Sequence, residues 1–145
     1  MFQSYNLLPN LTATENVAMP LLFRGVPKQQ REAAARKLLT RVGLAHRLDH
    51  FPRQMSGGQQ QRAGIARAFI ARPDVVFADE PTGNLDSKTT VEIMEMICSF
   101  ARDYHQTIIL VTHDPEMASY ADRIVTLIDG EIVSNQLNNK EKSPS

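Results

Sequence analysis

The chain has 145 residues, 42% of them hydrophobic and 22% charged, which fits one ordinary globular domain burying roughly two-thirds of its unfolded surface. Its 16 basic and 16 acidic residues cancel, so no overall field selects nucleic acid or an anionic membrane. The one cysteine, Cys98, excludes an internal disulfide, and no apolar run approaches the roughly 18 residues of a membrane span.

The first residues, Met1 to Leu8, read as a loop or strand end running into Pro9. Thr14-x-x-Val17 begins a helical stretch that Pro20 is expected to interrupt, with Leu21-Leu22-Phe23 following before the Arg24-Gly25-Val26-Pro27 turn. A helix is predicted over about Lys28 to Val42: Pro27 suits its first turn, Ala34, Leu38, Leu39 and Val42 form a stripe, and Gly43 can close it. A short helical piece near Leu44 to Leu48 precedes the break at Phe51-Pro52. Ser56 is a good N-cap for a helix to about Ala71, stopped by Pro73.

Beyond Pro73 the pattern changes. Val75 to Ala78, Thr107 to Val111 and Ile124 to Ile128 are short apolar runs of the kind strands buried on both faces show. Between the first two, a helix is predicted from about Lys88 to Arg102, with Ile93, Ile97, Phe100 and Ala101 on one face. In Met96-Ile97-Cys98 the thiol reads as a buried apolar filler. Met117 to Tyr120 is a short helix, and Asp129-Gly130 is a hairpin turn leading into Glu131-Ile132-Val133. The tail from Gln136 is polar and expected to be disordered. A helical first half and an alternating second half indicate a parallel-sheet core with a helical subdomain attached.

Three places carry chemistry. In Ser56-Gly57-Gly58-Gln59 a helix start offers backbone N–H groups and partial positive charge, and the glycines let an anion approach closely. Taken alone, the same residues read as a capped helix with flexible glycines. Asp79 and Glu80 end a buried strand and project from the carboxyl edge, where α/β folds bind ligands; taken alone they are a solvated acidic strand end. His113, in Thr112-His113-Asp114, stands at the end of the next strand, where a histidine can reach a phosphate and respond to its state. His46, His50 and His105 sit in no such context.

Taken together and in order, these motifs resemble the nucleotide-binding domain of ABC transporters. Ser56-Gly57-Gly58-Gln59, continued by Gln60-Gln61-Arg62 and the small-residue run Ala63 to Ala68, is similar to the family's signature helix, with Met55 where leucine is usual. Asp79-Glu80 continued by Pro81-Thr82-Gly83-Asn84-Leu85-Asp86 matches its catalytic strand end and D-loop, and Phe2-Gln3 its Q-loop. The match runs over residues 1 to 134. Asn6 to Thr12, Pro20-Leu21-Leu22 and Asp79 to Asp86 point to the subgroup serving macrolide export, lipoprotein release and antimicrobial-peptide resistance.

The resemblance implies an α/β fold: an incomplete P-loop NTPase (RecA-like) parallel-sheet core with an inserted α-helical subdomain. It divides the chain into a Q-loop remnant (1–10), a helical signature subdomain (11–72), a partial core (73–134) and a disordered tail (135–145). It implies ATP and Mg²⁺ as cofactors, with Glu80 as general base, His113 assisting, and Asp79 and Gln3 meeting Mg²⁺ through water. Ser56, Gly57, Gly58 and Gln59 would serve the nucleotide of a partner subunit in trans, and Asn84, Leu85 and Asp86 would face that partner. The helical subdomain would contact a membrane permease, which places the chain in the cytoplasm against the inner or plasma membrane. No nucleic-acid partner is expected.

The departure is equally specific, because no G-x-x-x-x-G-K-[ST] loop occurs in these residues. In the family that loop's strand lies between those matching Thr107–Val111 and Ile124–Ile128. Without it the sheet should hold a slot with unpaired backbone groups on both sides. The chain is then expected to pair with itself, exchange segments or remain partly disordered, and not to bind ATP tightly alone. Two other readings remain: a non-enzymatic module engaging a permease or a complete ATPase through Leu11 to Arg72, and an ABC ATPase acting on DNA or ribosomes. Against the last stand the lack of a long heptad segment and of a basic patch.

Overall fold

The structure is a computed structural model that describes residues 6–83 and 86–138. Helix α1 (Ala13–Phe23) starts at a capping box: Thr12 Oγ1 accepts the Glu15 N–H at 3.2 Å and Glu15 Oε2 accepts the Thr12 N–H at 2.8 Å. Pro20 does not interrupt it, contrary to the sequence expectation, and Leu21 to Phe23 lie inside the helix. Burial of Ala13, Val17 and Ala18, in a helix packed on α2 and α3, offsets the roughly 3 kcal/mol that an interior proline costs. Helix α2 (Lys28–Arg41) buries Ala35, Leu38 and Leu39, so the stripe runs through Ala35 rather than Ala34. Gly43 then turns the chain at φ +79°, a conformation open to glycine.

Two single 3₁₀ turns, Ala45–Arg47 and Pro52–Gln54, lead to α3 (Gly57–Phe69). A second capping box starts α3: Ser56 Oγ accepts the Gln59 N–H at 3.3 Å and Gln59 Oε1 accepts the Ser56 N–H at 3.0 Å. Strand β1 (Val75–Asp79) follows, then α4 (Ser87–Tyr104) and β2 (Thr107–Val111), which pairs parallel to β1 with Val75 opposite Thr107. His105 closes α4 in the left-handed region at φ +52°. One turn of helix, α5 (Pro115–Ala118), precedes β3 (Arg123–Ile128) and β4 (Glu131–Leu137), an antiparallel pair around Asp129-Gly130. β4 continues to Leu137, so residues 135–137, expected within the disordered tail, are paired strand: Arg123 stands opposite Leu137 and Ile124 opposite Gln136.

The core is one apolar cluster that joins both halves of the chain. Phe69 of α3 stacks on Phe100 of α4 at 5.1 Å between ring centroids, and both are buried. The strands, expected to be buried on both faces, are not: β1 is buried on one face, β2 half-buried on one, and β3 mostly exposed. In β1, Val76 and Ala78 face the helices while Phe77 is 62% exposed, and β2 alternates likewise. Among the described residues the slot expected in the sheet is present: β1–β2 and β3–β4 are separate two-stranded sheets, so β2 and β3 each have one neighbour there. A cavity of about 490 Å³ lies between them, lined by Met94, Ile97 and Cys98 of α4, Ile108 and Leu110 of β2, and Arg123. Cys98, expected to be buried, is half-buried in that wall.

Candidate functional site

The carboxyl end of β1 is shaped by its backbone. Glu80 lies in the left-handed region at φ +42°, its N–H donating to Val111 O at 2.9 Å and its carbonyl accepting from the Gly83 N–H at 3.2 Å. For a residue other than glycine, asparagine or aspartate this conformation is unusual and costs of order 1–3 kcal/mol, a strain characteristic of functional turns. Pro81 and Thr82 are buried beneath it, while the Asp79 side chain is exposed at the strand end.

The loop after β2 brings His113 to Glu80. The His113 N–H donates to Glu80 Oε1 at 2.9 Å and the ring Nδ1 meets the same oxygen at 2.6 Å. Thr112 Oγ1 donates to Glu80 Oε2 at 3.4 Å and accepts the Asp114 N–H at 3.1 Å. Asp114 in turn caps α5 by accepting the Glu116 N–H at 2.8 Å. Burial pushes the Glu80 carboxyl up, but hydrogen bonds from the His113 ring and amide, the histidine's charge and the Thr112 hydroxyl together outweigh it, so Glu80 titrates below the usual carboxylate range. With the carboxylate ionised, Nδ1 carries the proton of the shared bond. The imidazole itself remains 90% exposed, so its other nitrogen faces solvent.

At the start of α3 the Ser56 and Gln59 side chains are committed to the capping box. The Gly57 and Gly58 N–H groups take no hydrogen bond among the described residues, as expected of a helix's first turn. A Cβ on Gly58 would stand 3.6 Å from the Thr89 methyl of α4, an ordinary contact. Thr89 is held by Asp86, the N-cap of α4, which accepts its N–H at 3.0 Å and its hydroxyl at 2.7 Å and titrates below the usual range because of those two bonds.

Glu80 and His113 are thus in contact, and Asp79 lies beside them in the chain. Ser56 to Gln59 do not touch that pair. One link from α3 to the Glu80 turn escaped sequence reasoning: Gln61, buried on α3, whose Nε2 donates to the Pro81 carbonyl. It offered no signal beyond its place in the Gln59-Gln60-Gln61 run. The expected site residues Gln3, Asn84 and Leu85 lie outside the described residues.

Among the described residues no group of three or more His, Cys, Asp or Glu side chains could enclose a metal ion. The donor set fits Mg²⁺ all the same, since that ion keeps most of its water and needs one or two carboxylates, as Asp79 supplies at an exposed strand end. For ATP the fit is partial: the glycine-rich start of α3 suits a phosphate, and these residues contain no phosphate loop.

The profile of the ABC transporter family matches residues 1–83. The lipoprotein-releasing system ATP-binding protein LolD of Geobacter metallireducens is 50% identical over 135 residues, covering 93% of this chain and 60% of that protein. The macrolide export ATP-binding/permease protein MacB of Marinobacter nauticus is also 50% identical over 135 residues, covering 93% of this chain but 21% of its own length. Among solved structures, the dimeric post-hydrolysis state of the ATP-binding cassette MJ0796 bound to ADP and Pi superposes with a TM-score of 0.82 at 39% identity, covering 94% of this chain and 62% of that one. The chain therefore spans about three-fifths of the single-cassette relatives it matches. It belongs to the ABC transporter family, as part of a nucleotide-binding domain of the subgroup that includes these export and lipoprotein-releasing proteins.

Proposed function

We propose that the chain is the signature-bearing and base-bearing part of an ATP-binding subunit, one that couples ATP hydrolysis to export or lipoprotein release through a membrane permease. The observation that carries this reading is the Glu80 carboxylate, kept ionised at the end of β1 and held by His113. An ionised carboxylate there is suited to orient and deprotonate an attacking water, and His113 is suited to stand by the phosphate that leaves. Releasing the His113 ring would free Oε1 to accept the water proton. Asp79 would meet Mg²⁺ through water, and Gln3 would join it. Bound Mg²⁺ supplies charge neutralisation at the phosphates.

Ser56, Gly57, Gly58 and Gln59 would face the nucleotide of a second copy, with Asn84, Leu85 and Asp86 at the contact between copies. The dimeric relatives support this arrangement. The helical stretch 11–72, ending α1 in an exposed Leu22 and Phe23, would meet the permease, holding the chain at the cytoplasmic face of the membrane. Without a phosphate loop in these residues, tight ATP binding would require a partner that brings one. The unpaired edges of β2 and β3 favour association of the chain with itself.

The unpaired strands also favour a second reading, a non-enzymatic module that docks on a permease or a complete ATPase. Calorimetry separates the two. Mg-ATP is titrated into the chain, with Glu80→Gln in parallel to suppress turnover, and then into the chain mixed with a complete cassette whose own signature serine is changed. No heat from the chain alone but restored ATPase activity in the mixture supports the proposal. No restoration points to the non-enzymatic module.

A further inference from the structure

Gln61 is 5% exposed, the most polar side chain on the buried face of α3, among Ala63, Ile65, Ala66 and Phe69. Burying a primary amide is costly unless it is hydrogen-bonded, and leucine or methionine would fill the same volume. Its Nε2 donates to the carbonyl of Pro81, the residue after Glu80. That turn is otherwise held to β2 by the Glu80 N–H on Val111 O and closed on itself by the Gly83 N–H on Glu80 O. Arg62 of α3 also pairs with Glu92 of α4 at 2.5 Å, a contact that does not reach this turn.

We propose that Gln61 is a positioning residue that ties α3 to the turn carrying Glu80, so that the start of α3 and the Glu80–His113 pair shift as one body. Its functional meaning rests on the reading above. In a pair of cassettes with their phosphate loops in place, Ser56 to Gln59 would serve the nucleotide across the contact, whereas Glu80 would serve the other. Through Gln61, occupancy at one nucleotide is felt by the base at the other. The span is short: Ser56 and Gln61 share the first turn and a half of one helix, and Pro81 follows Glu80 directly.

Amide hydrogen exchange, read by NMR on the full chain without nucleotide, tests the link. The probes are the Gly83 and His113 amides, bonded to the Glu80 carbonyl and carboxylate, with the amides of Phe69 and Phe100 as internal reference for global opening. Gln61→Leu should speed exchange at Gly83 and His113 roughly tenfold relative to the reference amides, the effect of one lost hydrogen bond on a local opening. Ser56→Ala, which loosens the first turn of α3, should also speed both probes when Gln61 is present and add nothing when Gln61 is leucine. Probes that move no more than the reference amides in Gln61→Leu, or that respond additively to the two changes, would overturn the proposal. Should Gln61→Leu fail to fold, Ser56→Ala decides by itself, because unaltered exchange at Gly83 and His113 in that variant removes the link. No nucleotide enters the experiment, so its failure leaves the ATP-cassette reading standing, and failure of the calorimetry leaves the link standing.

Discussion

Glu80 grips His113 at two points, accepting the main-chain N–H at 2.9 Å and meeting the ring Nδ1 at 2.6 Å with the same carboxylate oxygen. Both bonds favour the ionised form, which is why the carboxyl titrates below its ordinary value of 4.5 despite partial burial. A carboxyl depressed in the folded state stabilises fully above that ordinary value, and the contribution fades as pH falls through the lower folded value. Denaturant unfolding at stepped pH should therefore show an acid limb beginning below about pH 4.5 that is shallower in Glu80→Gln. The difference should not exceed about 1 kcal/mol, since the imidazole is open to solvent. Equal limbs in the two proteins would mean that the grip contributes no stability.

Asn16 is a second, less visible anchor. It is fully buried, its Oδ1 accepting the Leu8 N–H at 2.7 Å and its Nδ2 donating to the carbonyls of Leu8, Leu11 and Thr12 at 3.0–3.1 Å. Asn16→Leu leaves the Leu8 N–H and the Leu11 carbonyl unmatched, while the Leu8 and Thr12 carbonyls keep the Leu11 and residue-16 main-chain N–H groups; it should cost about 2–4 kcal/mol, at about 1–3 kcal/mol for each buried group wholly deprived. Thermal unfolding should register a fall of several degrees, about 2–4 °C per kcal/mol for a chain of this size. A change within a degree would show that water or rearrangement satisfies the loop.

Gly58→Ala should separate stability from function. The added Cβ meets the Thr89 methyl at 3.6 Å, ordinary contact, and Gly58 is not among the glycines with positive φ. Alanine in a helix should then stabilise by about 0.5–1 kcal/mol. The same methyl covers the N–H groups that a phosphate would approach, so restoration of ATPase activity in the mixed assay should fall at least tenfold, about 1.4 kcal/mol. Melting and mixing assays on one preparation check both halves of this expectation.

Phe100 joins the two halves of the core, stacked on Phe69 at 5.1 Å and on Tyr104 at 5.8 Å, with the Arg41 guanidinium 4.4 Å from its centroid. Phe100→Ala should cost about 3–5 kcal/mol, at the upper end because helices α2, α3 and α4 all lose contact there. Phe100→Leu should recover most of that loss. Circular dichroism melts of both variants test it, and a small loss in the alanine variant would mean that α4 collapses into the gap.

Elements with strong local signals were legible in the sequence. Ser56 capping α3, the β2 limits at Thr107 and Val111, and the Asp129-Gly130 turn with φ of +51° and +82° follow from capping, apolar patterning and turn chemistry. So was the gap in the sheet, since two strands that match non-adjacent members of the family's sheet leave a place between them. What misled was context. Pro20 reads as a break because its missing N–H is a local fact, whereas the burial that keeps α1 intact is tertiary. Apolar runs such as Val75 to Ala78 signal two-sided burial, yet Phe77 and Ile109 on the other face are exposed. Gln61 was illegible for a related reason, because nothing in three consecutive glutamines tells which one turns inward.

The division into two sheets sets how the molecule comes apart. The β3–β4 contacts are made across a two-residue turn, so that hairpin assembles on the microsecond scale without waiting for β1 and β2 to close over the eighteen-residue α4. Its residues are mostly exposed, and Arg123 at its start lines the cavity against α4 and β2. Leu127 and Leu137 therefore belong to a cooperative unit of their own, which opens at lower free energy than the Phe69–Phe100 core and exposes the chain there first to proteases.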